Sequence, residues 1–311
     1  MSRILVTGGA WFIGSHVVDA LLAAYHEVFV IDSLVHGRAE NVNPSASLLQ
    51  ADLRDIGALE DVFARARPEY VSHLAALVSV RESLEMPGEY AAVNILGGIN
   101  LLEMARRYAV RKIIYANTGG ALYGEGRGQA PFREDRVPAP LDAYGASKLA
   151  FEYYLQVYRH NFGLDYVSLR YANVYGPRQD PFGEGGVVAI FARRIVSRQP
   201  CTINGNGWKV RDFVYAGDVA QANLRALERG SGIYNIASGV PTDINTVFRE
   251  LKAASPGYDL APVYGPDRPG EVWESCLDAG QAAQALGWTP AVSLRDGLAR
   301  TLAYFQDRPA T

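Results

Sequence analysis

Cysteine, lysine and histidine are scarce in this sequence, and each scarcity excludes something. Cys201 and Cys276 are the only cysteines, too few for a disulfide framework or a zinc ribbon. The histidines, His16, His26, His36, His73 and His160, are scattered without metal-ligand spacing. Only four of the 30 basic residues are lysine, no basic run occurs, and the formal charge is −3. That leaves no electrostatic footprint for nucleic acid and no polybasic patch for a membrane. No apolar stretch approaches the roughly 20 residues that span a bilayer, and the first strand begins at residue 3, leaving no room for a signal peptide. A cytoplasmic protein acting on small molecules is therefore expected. What is plentiful is apolar residue: 49% of 311 positions, enough to build a substantial core in one large or two small domains.

Apolar runs alternate with amphipathic segments through the first half. Strands are expected at 4–7, 28–31, 70–74, 112–116 and 166–170, and such alternation predicts βαβ units around a doubly wound parallel sheet, an α/β fold of the Rossmann class. The Gly/Pro-bearing stretch 176–186 interrupts it, and 211–228 restores a strand-helix pattern. The predicted organisation is a dinucleotide-binding domain over 1–171, with a return segment about 211–235, and a smaller, discontinuous mixed α/β domain over 172–311. Neither an internal repeat nor a low-complexity tract is present.

The stretch 8-GGAWFIG-14 follows the first apolar run and opens a helix. Such a turn cradles a pyrophosphate because glycine lets the backbone approach and a helix start offers unbonded N–H groups. Gly8 suits the tight turn and Gly14 close helix-to-strand packing. Asp32 ends the second apolar run 24 residues after Gly8, near the offset of a ribose-binding carboxylate, which points to NAD. Arg38 is the nearest cation for the extra phosphate of NADP.

Residues 141–158 read as a helix, so Tyr144 and Lys148, at i and i+4, share a face. An ammonium nearby stabilises a phenolate and turns a group with an ordinary pKa of about 10 into a usable base. Tyr108 and Lys112 have the same spacing, but a helix end and a strand start separate them, so their side chains should diverge.

With TGGAWFIGSH, ADLRD, HLAA, VNILGGINLLEMAR, YGASK, RYANVYGPRQDP, RDFVYAGDVA and RPGEVWESCLD in order, the chain resembles the extended short-chain dehydrogenases from residue 3 to about 305. Among them it is most similar to the UDP-glucose 4-epimerases. The resemblance implies that Gly8, Trp11, Phe12, Ile13, Gly14 and Asp32 hold NAD, that Asp52 and Leu53 contact its adenine, and that Ala75, Asn94 and Tyr171 flank it. Lys148 would also hold the nicotinamide ribose. Asn173, Val187, Val188, Arg211, Arg268 and Glu271 would bind a UDP-sugar. Tyr144 would remove the 4-hydroxyl proton, and a 4-keto sugar would turn over before hydride returns. A homodimer through helices near 91–107 and 143–160 is also implied.

Three departures from the family pattern stand out. Trp11 occupies the middle-glycine position of TGxxGxxG. A left-handed backbone there would store roughly 1–2 kcal/mol; alternatively the turn relaxes through Gly9 with the indole aimed away. Gly119 stands where a catalytic Ser or Thr is usual, making adjacent Thr118 the candidate, and Gly120 and Ala121 replace the Asp-Glu pair of the related dehydratases. Ser275 falls where the family gates its sugar pocket, so UDP-N-acetylglucosamine is expected as a further substrate. Other readings kept open are another NAD-dependent nucleotide-sugar epimerase or reductase and, because of Trp11, a non-catalytic binding protein.

Overall fold

The structure is a computed structural model describing residues 1–182, 186–267 and 271–308. Its elements run β1 (Arg3–Thr7), α1 (Phe12–Ala23), β2 (Glu27–Asp32), β3 (Ser47–Gln50), α2 (Ile56–Ala66), β4 (Tyr70–His73), α3 (Val80–Glu85) and α4 (Pro87–Tyr90). A π-helical segment, Ala91–Leu96, leads into α5 (Gly97–Arg107), followed by β5 (Lys112–Thr118), α6 (Ala143–Phe162), β6 (Asp165–Tyr171) and β7 (Asn173–Tyr175). The remainder is α7 (Val187–Val196), β8 (Thr202–Asn204), β9 (Val210–Tyr215), α8 (Ala216–Glu228), β10 (Gly232–Ile236), β11 (Pro241–Asp243), α9 (Ile244–Ala253), β12 (Val263–Gly265), α10 (Gly280–Ala285) and α11 (Leu294–Gln306).

Seven parallel strands form the main sheet in the order β10-β6-β5-β4-β1-β2-β3. Parallel neighbours require crossovers, which bury both faces. Val17, Val18 and Leu21 of α1 and Val219, Ala220 and Leu227 of α8 cover one face. The other is covered by Phe63 of α2, Leu101 and Leu102 of α5, and Phe151 and Leu155 of α6. Each strand expected from the sequence is present, four of them extended by a residue or two and the one expected at 70–74 ending a residue earlier, at His73. β3 is an addition: with only Leu48 and Leu49 as apolar residues, it is too short for periodicity to reveal.

A three-stranded sheet, β11-β9-β7, and a two-stranded one, β12-β8, belong to a second, smaller layer with its own core of Tyr175, Phe191, Phe213, Phe248, Leu298 and Phe305. The return segment divides. β9 pairs with β7 and β11 in the small sheet, α8 packs on α1, and only from Gly232 does the chain rejoin the main sheet.

Strand order reverses between β1 and β4. Loops leaving their carboxyl ends diverge there and open the crevice where such sheets bind ligands.

Candidate active site

At that crevice the chain lines a cleft of about 600 Å³, within the usual range for ligand sites. Its floor is the β1–α1 turn. Gly8 takes φ +71, and a Cβ there would stand 2.7 Å from Ala75 N; one on Gly14 would overlap Gly8 O. The helix thus starts hard against the strand, and the first turn of α1 carries no acidic residue, leaving its N–H dipoles available to an anion.

Trp11 does not strain this turn. Its backbone is extended, φ −106 and ψ −173, so Gly8, and not Trp11 or Gly9, carries the left-handed conformation. Trp11 is among the residues lining the cleft, with Phe12, Ile13 and Gly14, and its ring pairs with His36 at 6.2 Å.

Asp32 is buried and holds the surrounding loops. One carboxylate oxygen accepts from Ala10 N at 3.0 Å and the other from Leu34 N at 2.9 Å. Asp52, Leu53, Ala75 and Asn94 likewise do not line the cleft itself. Asp52 pairs with Arg54 at 2.7 Å, and the carbonyl of buried Leu53 accepts from Asn100. Asn94, in the π-helical segment, clamps Leu77 N and O and reaches Ser147 Oγ at 2.9 Å, tying the loop after β4 to α6. Thr7 Oγ1 accepts N–H bonds from Leu74 and Ala75, so its own proton goes to His73 Nδ1, 2.8 Å away. His73 is therefore a neutral acceptor, its pKa held to about 3 by burial and then by the charge of Lys148.

Asp142 caps α6 by accepting from Gly145 N at 2.7 Å, and the first turns of that helix carry Tyr144 and Lys148 into the cleft. Thr118, the last residue of β5, lines the same cleft beside Tyr144, whose pKa its hydroxyl lowers. Its Oγ1 accepts from Ala121 N at 3.2 Å, which fixes its rotamer. At the neighbouring Gly119, a Cβ would press on the end of the Leu277 side chain.

Burial governs both titratable groups. Tyr144 keeps an edge open to the cleft but is otherwise enclosed, and its pKa is pushed up to about 12 by burial, against the lowering effect of the Thr118 hydroxyl. Lys148 is pulled down to about 7 by burial. The ring of Tyr115 lies 4.4 Å from its Nζ, a contact that favours the ammonium. The expectation of a phenolate stabilised by Lys148 is thus overridden in the chain by desolvation. Tyr108 and Lys112 diverge as expected, the first to Glu60 O and the second to Gly230 O.

On the opposite wall, Tyr171 is buried and accepts from Asn223 Nδ2 at 2.8 Å, while Asn173 donates to Asp212 O. Val187 and Val188 begin α7, whose first turn also lacks an acid. Arg211 is largely buried. It donates to Val210 O at 2.8 Å and pairs with Glu271 at 3.2 Å, and Glu271 also binds Lys209. Arg268 lies outside the described residues. Ser275 is not brought to the cleft: its N–H bonds to Val210 O, and the pairing leaves it buried. The small residue expected to widen the sugar pocket therefore does not line it.

Sequence reasoning missed Gln179. Its Nε2 donates to Val174 O, while its buried Oε1 has no partner among the described residues and belongs to the cleft wall. It lies in RYANVYGPRQDP, but nothing local marks which polar residue of that run turns inward.

Residues 4–237 match the NAD-dependent epimerase/dehydratase family. The chain belongs to this family. Among curated members, a putative UDP-glucose 4-epimerase of Methanocaldococcus jannaschii is 42% identical over 99% of this chain and 100% of its own length. A UDP-glucose 4-epimerase of Thermotoga maritima, solved with UDP-glucose, superposes with a TM-score of 0.95 at 47% identity, covering 98% of both chains. One from Thermus thermophilus, solved with NAD, gives 0.93 at 45% identity, covering 98% of this chain and 99% of the other. Within this NAD-dependent family, the glycine cradle and acid-free start of α1 fit the dinucleotide on the structure's own terms.

Proposed function

We propose that the protein is a UDP-glucose 4-epimerase, interconverting UDP-glucose and UDP-galactose. The observation that carries the reading is the convergence of Thr118, Tyr144 and Lys148 in the same cleft as Arg211 and the start of α1. Full-length similarity to proteins of that name supports it.

Gly8 and the first turn of α1, from Trp11 to Gly14, hold the dinucleotide's diphosphate. Asp32 takes the adenosine ribose with lone pairs left after its two N–H bonds; Asp52 and Leu53 flank the adenine; Ala75 and Asn94 set the loop along its path, beside Tyr171. Bound NAD supplies a hydride acceptor and donor and, when oxidised, a positive charge. Arg211, Arg268 and Glu271, with Asn173 and the start of α7 at Val187 and Val188, hold the UDP moiety. The guanidinium fork suits phosphate oxygens.

Tyr144 accepts the sugar's 4-hydroxyl proton, Thr118 hydrogen-bonds that oxygen, and Lys148 orients the nicotinamide ribose. The chain's own groups leave Tyr144 a phenol at neutral pH, so its ionisation draws on positive charge brought into the cleft. The 4-keto sugar turns over while the nucleotide stays held, and Tyr144 returns the proton.

The assay is direct: UDP-galactose incubated with the purified protein should yield UDP-glucose with no net oxidation. Absence of conversion, with NAD shown to be bound, would sink the reading. A cytoplasmic location goes with it, supported by the use of NAD and nucleotide sugars; no described helix is long and apolar enough to cross a membrane. A homodimer belongs to the same proposal, supported by exposed Tyr153, Val157 and Phe162 on α6 and Leu96 before α5. Light scattering should give twice the chain mass of 33.9 kDa; a monomer at micromolar concentration would refute it.

A further inference from the structure

Trp11 has no structural task that explains an indole. It is the residue before α1, where its side chain makes no capping hydrogen bond; its backbone alone is used, the N–H donating to Gly8 O at 3.4 Å and the carbonyl accepting from Ser15 N at 3.0 Å. The ring instead pairs with His36, at a centroid distance of 6.2 Å and a tilt of 37°, within the range of favourable aromatic pairs. His36 sits on the loop after β2, which is stitched to the glycine turn by Arg38 N and Asn41 Nδ2, both donating to Ala10 O. The same loop is anchored to Asp32 through Leu34 N.

The two rings therefore join the loop that starts α1 to the loop that follows Asp32. Both line the cleft, and both sit at its outer side, His36 exposed and Trp11 half-buried. With NAD lying along the glycine turn as proposed above, its diphosphate and adenosine ribose occupy these two loops in succession, and the ring pair spans the stretch between them.

We propose that Trp11 and His36 form an aromatic strap across the diphosphate-to-ribose stretch of bound NAD, retaining the dinucleotide. The residue that breaks the glycine pattern is on this account a retention device, covering from solvent what a glycine would leave open. An indole there buries apolar surface when the dinucleotide is present, at no backbone strain.

The test follows release of radiolabelled NAD from the purified, NAD-loaded protein into excess unlabelled NAD. Trp11→Gly should release it about 3- to 10-fold faster, the range an aromatic contact supplies. Trp11→Phe, which keeps a ring, should stay close to wild type, and His36→Ala should fall between. Folding is not at issue for the glycine variant, because glycine is an acceptable residue before a helix; matching thermal midpoints without NAD would show this. Equal or slower release from Trp11→Gly, or a higher NAD content in it, would overturn the strap and make the indole an obstruction. Failure of both proteins to take up NAD would overturn the cofactor assignment, and the strap with it.

Discussion

Tyr144→Phe is expected to lower conversion of UDP-galactose by roughly 10²–10⁴-fold, the range for losing a positioned acid-base group, while bound NAD stays at the wild-type level. The variant removes one oxygen. Thr118 keeps its bond from Ala121 N, so the strand end should not rearrange, and the phenyl ring preserves packing in the enclosed wall. Because burial raises the Tyr144 pKa to about 12, deleting the hydroxyl relieves a buried polar group and should not destabilise the fold. The prediction thus separates chemistry from binding: kcat falls, whereas KM and the dinucleotide content do not move in proportion. Turnover within tenfold of wild type would mean that another group takes the proton, and Tyr144 would lose its assigned role.

Glu152→Leu should destabilise the fold by about 3–5 kcal/mol, the magnitude for removing one partner of a buried ion pair. Glu152 lies one helical turn beyond Lys148 and is 2% exposed; Arg170 on β6, its partner at 2.5 Å, is 3% exposed. The carboxylate also accepts from Asn117 Nδ2 at 2.7 Å and Ser168 Oγ at 2.6 Å, and Arg170 reaches on to the Tyr123 hydroxyl at 2.8 Å. Leucine would strand a guanidinium and two further donors in the interior. Adding Arg170→Met should recover part of the loss, since the charge is then gone, but not all, because Asn117 and Ser168 remain short of an acceptor. Urea unfolding measures it as a lower midpoint at unchanged slope. A loss below about 1 kcal/mol would show that water or a rearranged neighbour satisfies Arg170, and that the network is not what seats α6 on the sheet.

The parts of this protein that could be read from the chain are those encoded by spacing. Alternating runs announced the parallel sheet, Gly8 and Gly14 the cradle, and Tyr144 and Lys148 a shared helix face, because residues a few positions apart determine each. The same local logic correctly separated Tyr108 from Lys112. It could not place Ser275, whose burial depends on pairing with Val210, or Gln179, whose orientation depends on the fold of its loop.

Tertiary structure decided what lies between distant segments. Thr118 meets Tyr144 only because β5 and α6 converge, and Leu277 packs against Gly119 only because it arrives from far along the chain. Desolvation reversed the expected effect on the Tyr144 phenol, a quantity that spacing does not contain. Trp11 was legible as an anomaly, but its backbone angles and its partner His36 were not. The sequence by itself determined the fold class, the glycine cradle and the shared helix face of Tyr144 and Lys148, because these rest on short-range spacing. Which hydroxyl stands beside Tyr144, where charge is tolerated and what the indole touches were set by packing, since burial and contact are properties of the assembled fold.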